Sequence, residues 1–341
     1  MFQPKYTITN PLATNMRKIG ELVGELNSKV FTTTALLAME RDARALSSFS
    51  STHIEGNPLP LTDVKRILKS RPERIKDTER EVLNYNKALL MLDEKIQTQK
   101  NICMSNTFIC QVQSMVVKGL ISTSYQGKYR NKPVFVNDPV KRKTIYLPPD
   151  ANHVEPLMTD LVEFIKRKKG EIDPLLIAGL FHKQFVIIHP FRDGNGRTAR
   201  VTTKALLAKL GINTFPLFSF ENYYNNNISK YFNTVGVFGN YYDIVKKIDF
   251  TEWLEYFTDG IIDELLRVKS KFPHYQERLE IHHKQMIAYI KEHGSITTKE
   301  YAALTKRAKA TRILDFKKLV DMRVITPLGV GKATYYILKE E

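Results

Sequence analysis

His189-Pro190-Phe191-Arg192-Asp193-Gly194-Asn195-Gly196-Arg197-Thr198-Ala199-Arg200 lies where one helical pattern, Pro174 to Ile188, gives way to another, Arg197 to Leu210. Gly194 and Gly196 flank Asn195, so the chain can turn sharply and aim successive backbone N–H groups at one point. The helix that follows adds the positive end of its dipole, which makes the junction a seat for an anion. Arg197 and Arg200 fall one helical turn apart on the same side, and guanidinium donors suit phosphate oxygens. Asp193 places a hard carboxylate oxygen beside that seat, the ligand type that Mg²⁺ takes. His189 can accept a proton near neutral pH. A lone Gly-Asn-Gly turn or a lone histidine is ordinary. The joint set reads as a phosphate-handling site and leaves the reaction open.

Other signatures are missing from the sequence. There is no Gly-x4-Gly-Lys-Ser/Thr run, no Gly-x-Gly-x-x-Gly behind a strand pattern and no tight His/Cys group. These absences disfavour a P-loop, a Rossmann dinucleotide fold and a zinc site. Cys103 and Cys110, the only two cysteines, lie in what reads as one helical stretch, too far apart for an intrahelical disulfide. Reduced core cysteines in a reducing compartment are expected.

The 341 residues are 43% hydrophobic, enough for a buried core and two or three domains. Lys and Arg total 52 against 36 acids, a formal charge of +16. That balance favours nucleotide, nucleic-acid or acidic-protein partners without choosing among them. Its dense patches, Lys65–Lys76, Lys128–Lys143 and Lys166–Lys169, are equally well read as solvated surface. The apolar run Leu175 to Phe191 is interrupted by His182, Lys183, Gln184 and His189, so no membrane span is expected. The N-terminus lacks a signal-peptide order, which makes the cytoplasm the expected location.

Along the chain, residues 11–47 read as helical, and Ser47 to Thr52 supply capping residues ahead of a stop at Gly56 and Pro58. Further helices are expected from Thr62 to Lys69 with Thr62 as N-cap, Thr78 to Gln99, Thr107 to Leu120, Val154 to Lys168, Asn222 to Tyr231 and Phe250 to Val268. Lys128–Val136 and Thr144–Leu147 read as two strands around a turn near Asn137-Asp138-Pro139. Phe272-Pro273-His274 marks a boundary. Beyond it, helices Leu279–His293, Thr298–Leu304 and Ala308–Met322 and strands Val324–Thr326 and Ala333–Leu338 follow the winged-helix plan. In that plan Leu304, Ile313, Leu314, Phe316, Leu319 and Val320 form the core.

The motif closely resembles the signature of the Fic family, His-x-Phe-x-(Asp/Glu)-Gly-Asn-Gly-Arg-x-x-Arg, with every fixed position met from His189 through Phe191 to Arg200. The resemblance implies a mainly α fold: a Fic-type helical core with a small β-hairpin flap and an appended winged-helix domain. It implies transfer of AMP from ATP to Ser, Thr or Tyr hydroxyls of proteins, self-modification included. His189 would be the general base and Asp193 would hold Mg²⁺, with Mn²⁺ as an alternative. Gly194, Asn195, Gly196 and Arg197 would hold the phosphates, Phe191 would fix the loop and Arg200 would address the γ-phosphate. Tyr224 and Asn227 fall where related proteins line the adenine side, with ordinary packing as an equal competitor.

A second resemblance concerns Ser51-Thr52-His53-Ile54-Glu55-Gly56, which fits the family's inhibitory pattern (Ser/Thr)-x-x-x-Glu-(Gly/Asn). It implies that Glu55 pairs with Arg200 and blocks productive placement of ATP, with Ser51 in the same motif. On local chemistry alone the segment is a capped turn. The implied domains are 1–110, a helical region with inhibitory segment 47–57; 111–270, a catalytic core with flap 127–147; and 275–341, the winged helix. The flap would hold the target segment by strand-like pairing. The basic residues Lys306, Arg307, Lys309, Arg312, Lys317, Lys318 and Lys332 suggest DNA contact through 300–335, or else a protein-interaction or homo-oligomerising module. Competing functions are a DNA-binding regulator whose core senses nucleotide, and a hydrolase that removes AMP.

Overall fold

A computed structural model describes residues 1–28, 33–70, 75–98, 103–137, 143–208, 218–275, 280–322, 324–329, 331 and 334–338. They form two compact units, residues 1–27 with 42–268 and residues 28–41 with 269–341. The expected mainly α architecture with a small β element is what the chain adopts.

The first unit contains α1 (Asn10–Asn27), the part of α2 (Thr33–Ile54) from Asp42 onward, α3 (Leu61–Ser70), α4 (Asp77–Thr98), α5 (Asn106–Val116), β1 (Val136–Asn137) and β2 (Thr144–Leu147). It continues through α6 (Ala151–Lys168), α7 (Pro174–Ile188), α8 (Asn195–Leu207), α9 (Glu221–Asn226), α10 (Ile228–Val235), β3 (Gly239–Asn240), α11 (Tyr241–Ile244) and most of α12 (Thr251–Tyr275).

Helix α7 lies at the centre because it is apolar nearly all round, which a surface helix cannot be. Asp173 caps it by accepting from the Leu175 N–H at 2.8 Å, and Pro174 opens its first turn, where no N–H is needed. Trp253, fully buried, donates its indole N–H to Gly179 O at 2.8 Å. A Cβ at position 179 would stand 2.7 Å from Leu254 Cδ2, so the glycine sets how closely α12 approaches. Burying Leu180, Phe181, Phe185, Ile187 and Ile188 contributes about 1.5–3 kcal/mol each. The helix thereby presents His189 from a rigid base.

Several expectations change. Ser47 to Thr52 are not caps: α2 runs through them to Ile54. Thr52 Oγ1 bonds back to Ser48 O at 2.8 Å, while Ser47 and Ser51 are consumed by tertiary partners. Thr62 lies inside α3, which begins at Leu61. Strand geometry in the flap is confined to Val136–Asn137 and Thr144–Leu147, and Lys128 to Phe135 is not strand. Its turn at Asp138-Pro139 lies outside the described residues. A third short strand joins the hairpin, since β2 also pairs in parallel with β3, Tyr146 opposite Gly239. The expected helix from Asn222 to Tyr231 is two helices, broken where Asn227 accepts from Lys230 N–H and caps α10. Cys103 precedes α5 and is exposed, and Cys110 is half-buried, so neither is a core residue. Helix α12 continues to Tyr275, through the expected break at residues 272–274.

The second unit contains α13 (Ile281–His293), β4 (Ile296–Thr297), α14 (Thr298–Leu304), α15 (Lys309–Asp321), β5 (Ile325–Leu328) and β6 (Tyr335–Leu338). Its strands form an antiparallel sheet in the order β4-β6-β5, and β4 had no sequence signal. Thr297 and Glu300 cap α14 reciprocally. Met286, Ile290, Ile296, Tyr301, Phe316, Leu319 and Ile325 make the core. Leu304, Ile313 and Leu314, expected there, are exposed instead; Leu314 retains 61% of its surface. Asp315 and Phe316 point inward, so the neighbouring pair on α15 must point out. Lys332 lies outside the described residues.

Candidate active site

The loop from His189 to Gly194 is fixed from inside. His189 takes a left-handed conformation (φ 50°), which turns the chain out of α7. Phe191 is fully buried against Tyr129 and Phe185. Asn195 clasps it on both backbone atoms, accepting from Phe191 N–H at 2.9 Å and donating to Phe191 O at 2.8 Å. The asparagine side chain is therefore an internal brace of the loop. Gly194 has φ 78°, and a Cβ there would lie 2.6 Å from Val117 Cγ1.

The same loop leaves an anion seat at the start of α8. Its first intrahelical bond runs from Thr198 N–H to Gly194 O at 2.9 Å, so the N–H groups of Asn195, Gly196 and Arg197 have no intrahelical acceptor. A carboxylate already lies over that turn: Glu55 Oε1 would be 2.2 Å from a Cβ at Gly196. The same oxygen accepts from Arg200 Nη2 at 2.6 Å. Arg200, with no side-chain exposure, also donates to Ser51 Oγ at 2.8 Å, Ser51 O at 2.9 Å and the Tyr231 hydroxyl at 3.4 Å. Burial alone would raise the Glu55 carboxyl, but Arg200 and Arg197 outweigh it and hold the group below its ordinary range.

Ser47, Ser51 and Glu55 fall four apart on α2 and its end, and Lys204, Arg200 and Gly196 fall four apart on α8. Each meets its counterpart in antiparallel order. Lys204 Nζ donates to Ser47 Oγ at 2.8 Å and pairs with Glu221, which also accepts from the Tyr85 hydroxyl at 2.8 Å. Two of the three rungs, Ser47 on Lys204 and Ser51 on Arg200, join buried side chains, and together with the more exposed Glu55 they fix the register of the two helices.

His189 Nδ1 faces Val186 O at 3.3 Å, which puts the proton on Nδ1 and turns the Nε2 lone pair outward. Burial lowers its pKa to about 4, so the imidazole is neutral at neutral pH. Asp193 is about half-exposed; its Oδ1 accepts from Gly194 N–H and from Arg197 Nη2 at 3.1 Å, and among the described residues Oδ2 accepts nothing. That open oxygen fits a divalent cation.

Residues without a sequence signal complete the site. Arg130 is buried and donates Nε–H to His189 O at 2.9 Å, while its Nη2 reaches Pro149 O at 2.5 Å; its own N–H bonds Pro190 O at 2.9 Å. It ties the flap base to the loop, although it falls in a patch that reads as surface. Gln113 bridges Asp193 O and Gly127 N–H at 3.1 and 2.6 Å. Of the two residues expected on the adenine side, Tyr224 is fully buried, stacked on Tyr231 at 4.6 Å, and Asn227 is exposed and caps α10. An open groove of about 910 Å³ runs between Tyr129–Asn131 and the α6 face carrying Glu155, Asp160 and Glu163, and residues 189–200 do not line it.

In the second unit, His282, His283 and Asp315 converge closely enough to share an ion. Their hydrogen bonds argue otherwise. Arg307 approaches both Asp315 oxygens, at 3.2 and 2.9 Å, and the Tyr301 hydroxyl donates to one of them. His282 Nδ1 accepts from Arg307 and His283 Nδ1 from Glu280 N–H. With Nδ1 of each ring turned to a donor, both Nε2 atoms face Asp315 Oδ1, at 3.3 and 3.5 Å. The cluster is a buried carboxylate hub.

A helix start with unpaired N–H groups, a neutral histidine beside it and a half-free carboxylate together could hold a phosphate group. Residues 103–207 match the Fic/DOC family. The chain is 31% identical over 167 residues to the protein adenylyltransferase Fic of Nematostella vectensis, covering 48% of this chain and 37% of the relative. It is 27% identical over 190 residues to the Aedes aegypti protein of the same name, covering 54% and 36%. The matches thus span well under half the length of these curated relatives. Among solved structures, a Fic family protein from Desulfovibrio desulfuricans superposes with a TM-score of 0.66 at 19% identity, covering 100% of this chain and 99% of that one. A Fic domain containing signaling protein from Bacteroides thetaiotaomicron gives 0.61 at 20%, covering 76% and 95%. These two likenesses concern the fold.

Proposed function

We propose that the chain transfers AMP from ATP to Ser, Thr or Tyr hydroxyls of proteins and that Glu55 holds it weakly active at rest. The observation that carries this reading is the Glu55 carboxylate against Gly196 and Arg200, an anion in a seat suited to phosphate. The free N–H groups at the start of α8 would bind the phosphates once Glu55 withdraws, and Arg200 would take the terminal one. His189 Nε2 would accept the proton of the acceptor hydroxyl as its oxygen bonds the α-phosphorus and pyrophosphate departs. Arg130 and Gln113 would keep loop and flap in register for that approach. Asp193 would hold Mg²⁺ or Mn²⁺, which supplies neutralisation of phosphate charge. Catalysis on this plan is positioning and charge stabilisation. The relatives named adenylyltransferases support the reading.

Residues 275–341 we read as a winged helix that selects partners. Exposed Ile313 and Leu314 beside Lys309 and Lys317 on α15 favour a protein partner over DNA, since phosphate contact needs no aliphatic face. No helix among the described residues is long and apolar enough to cross a membrane.

The test is label transfer from α-labelled ATP to protein, by wild type, Glu55→Gly and Glu55→Gly/His189→Ala at matched Mg²⁺. Transfer should rise in the first variant and vanish in the second. Equal transfer by Glu55→Gly and wild type would remove the latch, and no transfer by any form would remove the reaction.

A further inference from the structure

Arg197, the other motif arginine, is also held by a carboxylate. Its Nη1 donates to Glu81 Oε1 on α4 at 2.9 Å, and its Nη2 gives Asp193 Oδ1 a single bond at 3.1 Å. The Arg197 side chain is 4% exposed and that of Glu81 23%, so the contact is largely shielded. Asn57, two residues beyond Glu55, donates Nδ2–H to Glu81 Oε2 at 2.7 Å and to Thr78 O at 2.8 Å. The segment 51–57 therefore touches both arginines, Arg200 directly and Arg197 through Glu81.

An arginine fork left to itself closes on a carboxylate with two parallel bonds. Here Nη1 is drawn to Glu81 and Nε meets no acceptor among the described residues, so in this orientation Asp193 receives one bond, from Nη2, and keeps Oδ2 open. We propose that Glu81 is a positioning residue: by drawing Arg197 aside, with Asn57 as its anchor, it keeps half of the Asp193 carboxylate available for the divalent cation of the nucleotide. Without it Arg197 would turn onto both Asp193 oxygens and compete with the cation. This inference rests on the nucleotide reading above and adds a residue that the motif does not contain.

Glu81→Gln is the isosteric probe. A glutamine has one acceptor oxygen where the carboxylate serves two donors, so either Arg197 or Asn57 loses its bond. Two readouts are needed, both on the full chain. In a crystal structure of Glu81→Gln, Arg197 should make two bonds to Asp193. In the Glu55→Ala background, ATP binding by calorimetry across a Mg²⁺ titration should need about tenfold more Mg²⁺ for its half-maximal effect, the lower end of outer-shell effects on metal sites. Binding in EDTA should not change. Asn57→Ala should shift the Mg²⁺ requirement the same way by less, and it serves if Glu81→Gln does not fold. An unchanged Mg²⁺ requirement overturns the proposal. So does tighter ATP binding in EDTA, which would make Glu81 a competitor for Arg197. If Glu55→Ala binds Mg²⁺-ATP but transfers no AMP, the reaction reading falls while this comparison stands. If it binds no ATP, the nucleotide reading falls and the Arg197 position in the crystal decides the geometry alone.

Discussion

Replacing Glu55 by alanine should destabilise the free protein and strengthen its response to ATP, and the two effects should match in size. One-sided removal of a buried ion-pair partner costs about 3–5 kcal/mol. Two features here reduce that figure. The Glu55 side chain is 29% exposed, and Arg200 keeps Ser51 Oγ, Ser51 O and the Tyr231 hydroxyl as acceptors. A cost of about 2 kcal/mol follows, or a fall of roughly 4–8 °C in melting temperature for a unit of this size. On the proposed reading, ATP must displace the carboxylate from the same groups in wild type, so the variant should bind ATP about thirtyfold more tightly, the same 2 kcal/mol in another form. Differential scanning fluorimetry with Mg²⁺-ATP titration reads both. Free variant should melt below free wild type, and at an ATP concentration near 100 times the variant's Kd it should gain about 2.7 kcal/mol while wild type gains far less. The gap without nucleotide should be constant between pH 5 and 8. Glu55 titrates below its ordinary 4.5 in the fold, so its contribution is present above that value and is lost only as pH falls through the lowered one. Equal melting of the two free proteins, or equal ATP-induced shifts, would refute the competition.

Two further outcomes test the loop itself. Because the His189 pKa is lowered to about 4, transfer by a Glu55 variant at saturating ATP should stay level from pH 8 to 5 and fall below that. Its folded pKa lies below the ordinary 6.5, so its contribution to stability also declines as pH drops through that interval. An acid limb at 6.5 or higher would contradict a neutral, buried imidazole. Gly194→Ala should cost about 1–2 kcal/mol for the left-handed backbone and about 1–3 kcal/mol for the overlap with fully buried Val117. Urea unfolding checks it, and a loss under about 1 kcal/mol would show that α5 yields to the added methyl group.

What the sequence conveyed was local chemistry and periodicity. Pro174 to Ile188 could be placed because its ends are marked by Asp173-Pro174 and by the loop, and its all-round apolar surface demands a central position. Ser51, Glu55 and Arg200 could be paired only through the family resemblance, since 145 residues separate Glu55 from Arg200. Serine-rich Ser47 to Thr52 looked like a helix end because isolated serines compete with helical hydrogen bonds. In the fold that competition is lost, since Ser51 and Ser47 are committed to Arg200 and Lys204. Arg130, Gln113 and Glu81 could not be found from the sequence, for each acts on backbone or side chains that are remote in sequence. Tyr224 is the opposite case: its residue type suits base stacking, but its place on α9 turns it into the core against Tyr231 and Trp253.

The three-rung contact between α2 and α8 makes the restraint at Arg200 a property of helix register rather than of one ion pair. Ser47 on Lys204, Ser51 on Arg200 and Glu55 over Gly196 repeat at four-residue intervals, so a displacement that frees one rung strains the others. Lys204 is further bound to buried Glu221, which Tyr85 also holds, so the rung farthest from the loop is the most anchored. Glu55 is the reverse: it follows the last residue of α2, stands in a turn and is the most exposed of the three. Release should therefore begin at the Glu55 end and need not move the body of α2. On the proposed reading, ATP would compete for Arg200 by displacing a terminal carboxylate, while Ser51 and Ser47 keep the arginine and its helix in place for the phosphate that replaces it.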